Sequence, residues 1–419
     1  MPTSCTLSFA VKHRIYPSFF DPTEMDSWEN APFPTPTEWA EFHAEALRWP
    51  GRSSQDWALK KPGLNPFLLH KWDALQRQSK KWPTWHANPN LWFAPRTFAE
   101  QASSEATARA KVQWLLHNGT VETAADLTLG SGADSWALAD AGIRTVGTEP
   151  NPALVRVLQQ HEQVLNLPRR TVLGSADDFP WDCVPRWDAV VVDPSRRQIG
   201  GKRWDWDHSQ PNPLECWDLW AQKAPQVLIK TSPLADADAL ERSFPNATDL
   251  VFVAVDGEMK EIWVVKRPVE ANQGMVRWTL HTTWNARRFS FRCWDRTATP
   301  PLASSPATYL YLPDAALKAS RCHAGAAAEL GLEEWTPGLY TANHRQELWP
   351  GRRLRFQEQF APYKGSTEGG WSIASINYPE KPDQIRKKLR CQEDSERFLL
   401  ATVDRAGQRW FVTALVDNS

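Results

Sequence analysis

From Val121 onward, short apolar runs alternate with longer stretches whose apolar positions recur every three or four residues. The runs Thr123–Leu127, Thr145–Thr148, Thr171–Leu173, Ala189–Val192, Val227–Ile229, Leu250–Val255 and Glu261–Val265 predict strands. Between them, Asp134–Ala141, Pro152–Leu165, Cys216–Ala221 and Ala235–Ser243 predict helices. Strands of this kind, buried on both sides and separated by helices, predict an α/β fold with a mainly parallel sheet.

Outside that stretch the rhythm differs. Pro36 and Thr37 open a helix that runs to Leu47, and Pro50 stops it. A second helix is expected over Asn65–Ser79, with Phe67, Leu68, Trp72 and Leu75 as its apolar stripe. Ser103 or Ser104 caps a third, which continues through Val112 and Leu115 to His117 and ends at Gly119. After Pro268, Met275–Thr282 and Arg288–Cys293 predict an antiparallel pair, and Thr297–Pro306 reads as a linker. A strand at Leu310–Leu312, a helix Pro313–Leu330 and strands near Gly338–Thr341 and Leu354–Phe360 follow. A helix Pro382–Leu389 and a hairpin, Phe398–Thr402 against Trp410–Ala414 with Gly407 in its turn, close the chain. The expected division is a helical region 1–120, an α/β unit 121–268, a strand pair and linker 269–306, and a small α+β unit 307–419.

Composition refines this only in places. With 419 residues, 42% apolar and 23% charged, the chain reads as an ordinary globular protein of two or three domains. A net charge of -1 gives no overall basic signal for nucleic acid. Locally, eight Lys or Arg face two Asp between Arg48 and Lys81, a nucleic-acid contact or a solvated face. Six scattered cysteines, none at CxxC spacing, argue against a zinc site and a disulfide scaffold, so no metal is expected. Neither a signal-peptide pattern nor a long apolar run occurs, so a cytoplasmic protein without membrane contact is expected. Nothing in the sequence fixes an oligomeric state. The 24 tryptophans suit cores, interfaces and base-stacking platforms alike.

The chemistry gathers where strands end. Asp126-Leu127-Thr128-Leu129-Gly130-Ser131-Gly132-Ala133-Asp134-Ser135 joins the first expected strand to its helix. Gly130 and Gly132 allow a tight turn and close approach of a ligand to backbone. Glu149 follows the second strand, placed to accept hydrogen bonds from both ribose hydroxyls or to cap the helix after Pro150. A dinucleotide enzyme shares these features. Its fingerprint, however, wants a third glycine where Ser135 stands, which tilts the reading toward an adenosyl ligand without a diphosphate.

Asp193-Pro194-Ser195-Arg196-Arg197 leaves the fourth strand at the same edge. Asp193 can orient an acceptor, Pro194 stiffens the loop, and Arg196 and Arg197 can clamp a phosphate or carboxylate, or simply face water. Lys230-Thr231-Ser232-Pro233 and Glu258-Met259-Lys260-Glu261 reach the same rim, where a Lys–Glu pair is as expected in a structural role as in a catalytic one. No prominent His or Cys nucleophile is present. Transfer of a methyl group from a sulfonium needs in-line placement and a desolvated pocket rather than such a group.

Taken in order, these blocks resemble the class I S-adenosylmethionine-dependent methyltransferases that carry a C-terminal THUMP-like domain. The resemblance also includes Phe67-Leu68-Leu69, Pro83-Thr84-Trp85, Ser103 to Ala108, Gly200-Gly201-Lys202, Tyr309 to Pro313 and the stretch from Gly351 to Ala414. It implies a Rossmann-like fold, with S-adenosylmethionine held by the loop from Asp126 through Gly130, Gly132 and Asp134 and by Glu149 on the ribose. Asp193 and Pro194 become the substrate-side motif, extended by Arg196, Arg197 and Lys230. Two departures stand out. Leu129 replaces a customary glycine, and Ser175 stands where many such enzymes place an acid on the adenine amine, a contact Asp177 is then expected to make. The resemblance implies RNA as the partner, with Arg352, Arg353, Arg355, Lys364, Arg386, Lys387, Lys388 and Arg390 for phosphate contacts. A non-catalytic RNA-binding protein, a small-molecule methyltransferase and a nicotinamide enzyme remain as alternatives.

Overall fold

The computed structural model describes residues 28–49, 51–196, 206, 209–269, 274–282, 288–292, 297–362 and 369–417. Among the described residues, eleven strands precede residue 300: β1 Thr123–Asp126, β2 Arg144–Glu149, β3 Arg169–Leu173, β4 Ala189–Val192, β5 Ser195–Arg196, β6 Ser209–Gln210, β7 Gln226–Thr231, β8 Asp249–Val255, β9 Glu258–Lys266, β10 Val276–Thr282 and β11 Arg288–Arg292. Nine of them form one sheet in the order β11-β10-β8-β9-β7-β4-β1-β2-β3. The run from β3 to β7 is parallel, β9 is antiparallel to both its neighbours, and β10 pairs parallel with β8. The direction of strand order reverses at β1 and β4, which opens a crevice at their carboxyl ends.

Burial explains the reading of these strands. β1, β4 and β8 are buried at every position, so they appear in sequence as unbroken apolar or small-residue runs. One face is covered by the helices Glu105–His117 and Ala133–Asp140, through Val112, Trp114, Leu115 and Trp136. The other is covered by Trp217 and Trp220 of the helix Pro213–Lys223 and Leu240 of the helix Ala237–Ser243. The N-terminal helices, Pro36–Leu47, Ser54–Lys60, Pro66–Gln78, Pro83–Ala87 and Arg96–Gln101, enclose an aromatic core. There Trp28, Trp39, Trp57, Trp72 and Trp92 pack with Ala153, Leu154 and Val157 of the helix Pro152–Leu165. Most described tryptophans are therefore core residues; Trp49, at 48% exposure, is the conspicuous exception.

Past residue 300 lies a second sheet, built from β12 Tyr309–Pro313, β13 Glu333–Thr336, β14 Leu339–Ala342, β15 Gly351–Phe360, β16 Ser372–Ile376, β17 Arg397–Val403 and β18 Arg409–Val416. Its order is β13-β14-β12-β15-β18-β17-β16, antiparallel except for β16 beside β17. The expected helix Pro313–Leu330 is in fact two, Ala315–Ala319 and His323–Glu329. The break is at Arg321, whose φ of 59° no helix accommodates; its guanidinium reaches Asp236 and Asp238 below the first sheet. Arg277 of β10 binds Asp238, Glu241 and the Ser320 carbonyl beside it, and the His281 ring meets Asp314. These contacts fasten the two sheets together.

Candidate active site

Asp126 ends β1 with its side chain buried, and its Oδ1 accepts the Thr128 amide at 3.1 Å. The turn beyond it is tied to both neighbouring strands: the Leu127 amide donates to the Val191 carbonyl and the Leu129 amide to the Thr148 carbonyl. Gly130 and Gly132 both lie in the left-handed region, at φ of 51° and 78°. A Cβ on Gly132 would stand 2.4 Å from Leu158 Cδ2, whereas one on Gly130 would meet nothing nearer than the Thr128 carbonyl at 4.0 Å. One glycine thus lets the helix Ala133–Asp140 pack, and the other leaves an open backbone face.

Leu129 keeps an ordinary backbone, and the structure shows what accommodates it. A Cβ at Gly147 of β2 would lie 2.5 Å from Leu129 Cδ2, so the leucine occupies space that a glycine opposite leaves empty. Packing of Leu129 thus depends on the missing Cβ of the neighbouring strand.

Glu149 ends β2, almost fully buried. Its Oε2 accepts the Gly130 amide and its Oε1 the Asn151 amide, both at 2.9 Å. Burial pushes its pKa up to about 7, against the pull of those two amides. Asp126 is likewise raised to about 7, by burial first and by the charge of Asp134 second. Each Glu149 oxygen retains a lone pair after taking its amide, so two hydroxyls on adjacent carbons can still be received. A neutral, open glycine face beside a carboxylate that accepts two hydroxyls fits the ribose and amino-acid end of an adenosyl cofactor.

Asp193 follows β4. Its amide donates to Thr128 Oγ1 at 2.6 Å, and its Oδ2 receives Lys230 Nζ of β7 at 2.5 Å. The glycine loop, the β4 motif and Lys230 are therefore brought together. Pro194 is buried behind them, and Ser195 and Arg196 pair with β6 in a short ribbon. Arg197 and Gly200-Gly201-Lys202 lie outside the described residues. Ser175 sits after β3 with its Oγ donating to Asp178 Oδ2 at 2.8 Å, and Asp177 in the following turn is exposed. Both are at the carboxyl edge, with β1 and β2 lying between their strand and that of Asp193.

Asp134 has a partner that sequence reasoning missed. Lys111, on the helix Glu105–His117, places its ammonium 2.8 and 2.9 Å from the Asp134 oxygens, 2.6 Å from Ser103 Oγ and 3.0 Å from Glu261 Oε2. Trp263 Nε1 donates to the same Glu261 oxygen at 2.8 Å. Lys111 is 2% exposed. Although burial opposes both charges, Asp134 and Glu261 hold Lys111 above its ordinary pKa, and Lys111 and Lys230 hold Glu261 down at about 2. Ser104, not Ser103, caps the helix, which leaves the Ser103 hydroxyl for this network. The available signal was positional: Lys111 lies four residues from both Thr107 and Leu115, on the buried stripe, where an unpaired charge is not tolerated.

A small cavity of about 20 Å³ behind Gly130 and Ser131 is walled by Trp82, Trp85, Trp92 and Phe93. Ser131 Oγ donates to the Phe98 carbonyl at 2.9 Å, so the N-terminal region packs directly on the glycine loop. Among the described residues no three His, Cys, Asp or Glu come together as a metal site, and no helix is long and apolar enough to cross a membrane.

No family model matches the sequence, and no curated protein does. Among solved structures, a Porphyromonas gingivalis W83 protein provisionally named a methyltransferase superposes with a TM-score of 0.72 at 21% identity, over 91% of this chain and 99% of that one. A 16S rRNA methyltransferase of T. thermophilus (22% identity, TM-score 0.29, 38% of this chain and 43% of that chain) shares only part of the fold. So does the Synechocystis PCC 6803 magnesium protoporphyrin IX methyltransferase (14% identity, TM-score 0.30, 39% and 79%). The fold is the Rossmann-like α/β fold of class I methyltransferases, with a mixed sheet.

Proposed function

We propose that the protein is an S-adenosylmethionine-dependent methyltransferase acting on RNA. The observation that carries the cofactor reading is the pairing of Glu149 with the Gly130 amide across the carboxyl ends of β1 and β2. In this reading Glu149 receives the ribose hydroxyls, Gly130 and Gly132 give the amino-acid end its backbone cradle, and Asp126 holds the loop through the Thr128 amide. Ser175 and Asp177 border the adenine. The cofactor supplies an electrophilic methyl on a sulfonium. Asp193, fixed by Thr128 and Lys230, orients the acceptor atom, with Pro194, Arg196 and Arg197 bordering the substrate.

Exposed basic side chains on the second sheet and its helix, Arg352, Arg355, Lys387, Lys388 and Arg390, support a phosphate-bearing acceptor. A THUMP-like role for residues 307–419 is part of the same proposal. The fit of Leu129 against Gly147 supports reading the loop as a cofactor cradle despite the leucine.

Calorimetry with S-adenosylmethionine, S-adenosylhomocysteine and NAD tests this directly. Heats are expected with both adenosyl ligands and none with NAD, and Glu149→Ala should abolish them. Absence of heat with either adenosyl ligand at about 1 mM, where even a binding free energy near -4 kcal/mol registers, would overturn the enzyme reading. Cofactor binding without a gel shift on total RNA would move the acceptor to a small molecule.

A further inference from the structure

The eight basic side chains between Arg48 and Lys81 differ in what each touches. Lys71 is internal and donates to the Asn88, Pro89 and Leu91 carbonyls. Arg77 pairs with Asp73, Lys61 pairs with Glu45, and Lys81 donates to the Glu100 carbonyl. Arg48, Arg52, Lys60 and Lys80 make no ion pair among the described residues. Two of these four gather at Trp49, the tryptophan that is 48% exposed. The Arg52 guanidinium carbon lies 4.6 Å from the Trp49 ring centre and 5.6 Å from that of Trp57. Lys60 Nζ lies 5.0 and 5.1 Å from the same two rings. Their support is well anchored. Trp57, on the helix Ser54–Lys60, is fully buried and meets Phe42 edge-on at 5.5 Å. The Arg52 carbonyl accepts Trp72 Nε1 at 3.0 Å and Gln76 Nε2 at 3.1 Å. The nearby carboxylates are engaged elsewhere, for Asp56 receives the Ser53 amide and hydroxyl and Glu45 holds Lys61.

We propose that this face is a second RNA contact, which takes a single-stranded segment of the acceptor with phosphates on Arg52 and Lys60 and a base stacked at Trp49. The proposal rests on the RNA-acceptor reading for its partner and on the cluster itself for its chemistry. A cation lying on an indole keeps its N–H groups for oxyanions. An exposed ring beside such cations is the platform on which single strands stack with little regard to sequence. Because both cations are already positioned, little side-chain freedom is lost on binding. Leu47 and Leu59, at 60% and 81% exposure, flank the cluster in sequence, so an anionic bilayer is the competing partner. Sinking Trp49 among acyl chains would draw Arg52 and Lys60 out of water with it, whereas phosphates meet them where they stand. RNA is therefore favoured. The face also belongs to the body that carries the candidate site: Trp57 and Phe42 share a core with Ala153 and Leu154, in the first turn of the helix that follows Glu149.

The test uses the full chain and a fluorescent, unstructured RNA of about 15 nucleotides, titrated by anisotropy across a range of salt concentrations. Wild type is compared with the double variant Arg52→Gln/Lys60→Gln and with Trp49→Leu, which keeps apolar surface but removes the ring. Melting temperatures first establish that both are folded. The double variant should bind more weakly and lower the slope of log affinity against log salt by about 1.4, for two phosphate contacts at about 0.7 each. Trp49→Leu should weaken binding about fivefold or more and leave the slope unchanged. In wild type, RNA should also protect Lys60 from acetylation, a readout that does not depend on any variant folding. Wild-type affinity and slope in both variants, or a Lys60 that RNA leaves reactive, overturn the proposal while the RNA-acceptor reading stands. No RNA binding by wild type overturns both together. Vesicles of equimolar phosphatidylcholine and phosphatidylserine supply the competing arm. Wild-type binding to them that the double variant loses, with RNA affinity unchanged, assigns the face to a lipid surface and overturns the RNA contact.

Discussion

Glu149 takes one backbone amide on each carboxylate oxygen, yet burial raises its pKa from 4.5 to about 7. Its folded value lies above its unfolded one, so folding takes up a proton between those limits, and stability contributed by the group declines as pH rises from about 4.5 to about 7. If Glu149 receives ribose hydroxyls as proposed, ligand affinity runs the opposite way, because those hydroxyls donate to the charged form. S-adenosylhomocysteine should therefore bind several-fold more weakly at pH 6 than at pH 8 and should release protons on binding near pH 7. Calorimetry in two buffers of different ionisation enthalpy measures that release; zero release at pH 7 would contradict a neutral Glu149 in the free protein. Spacing alone marked Glu149, Gly130 and Asp193 in the sequence, since each follows a strand at the edge where ligands sit. Gly147 was not legible in that way. It matters only because Leu129 lies against it from the next strand, a contact that no local pattern encodes.

The same contrast holds for elements. β4 and the helix Pro152–Leu165 lie at the bounds their sequences predict, because apolar runs and a proline at the helix start are local signals. The short helices Ser54–Lys60, Pro83–Ala87 and Arg96–Gln101 escaped, having too few turns to show a period, as did β16. The helix Glu105–His117 was legible as a helix, but its function was not, for Lys111 draws its meaning from Asp134 and Glu261, far away in sequence. Removing that lysine leaves two buried carboxyls without their cation. Lys111→Met should lower unfolding free energy by about 3–5 kcal/mol in urea titration. Adding Glu261→Gln to that variant should restore part of the loss, since the remaining Asp134 can then take up a proton alone. An additive double variant would show that the three charges do not act as a unit.

At the scale of the whole molecule, the decisive feature is where the nine-stranded sheet stops. The sequence rhythm breaks after Pro268, but β10 lies parallel to β8 along the full length of both, from Asp249 with Val276 to Val255 with Thr282. β8 is buried at every position, and Leu280 and Trp278 pack into the same core as Val251 and Trp263. Arg277 is buried at 3% exposure against Asp238 and Glu241, with Ser320 of the following segment. A chain truncated after Arg267 would uncover one edge of β8, where six apolar residues follow Asp249 with no further charge and no proline to block pairing. Such a truncation should be aggregation-prone, and soluble material should melt well below the full chain. A longer truncation ending after Arg292 retains β10 and β11 and should stay soluble, although Asp238 then loses Arg321 and Arg277 loses the Ser320 carbonyl. Light scattering and melting curves on the two truncations decide the matter. Equal solubility and equal melting temperatures would mean that β8 tolerates an open edge and that the α/β unit ends where the sequence rhythm does.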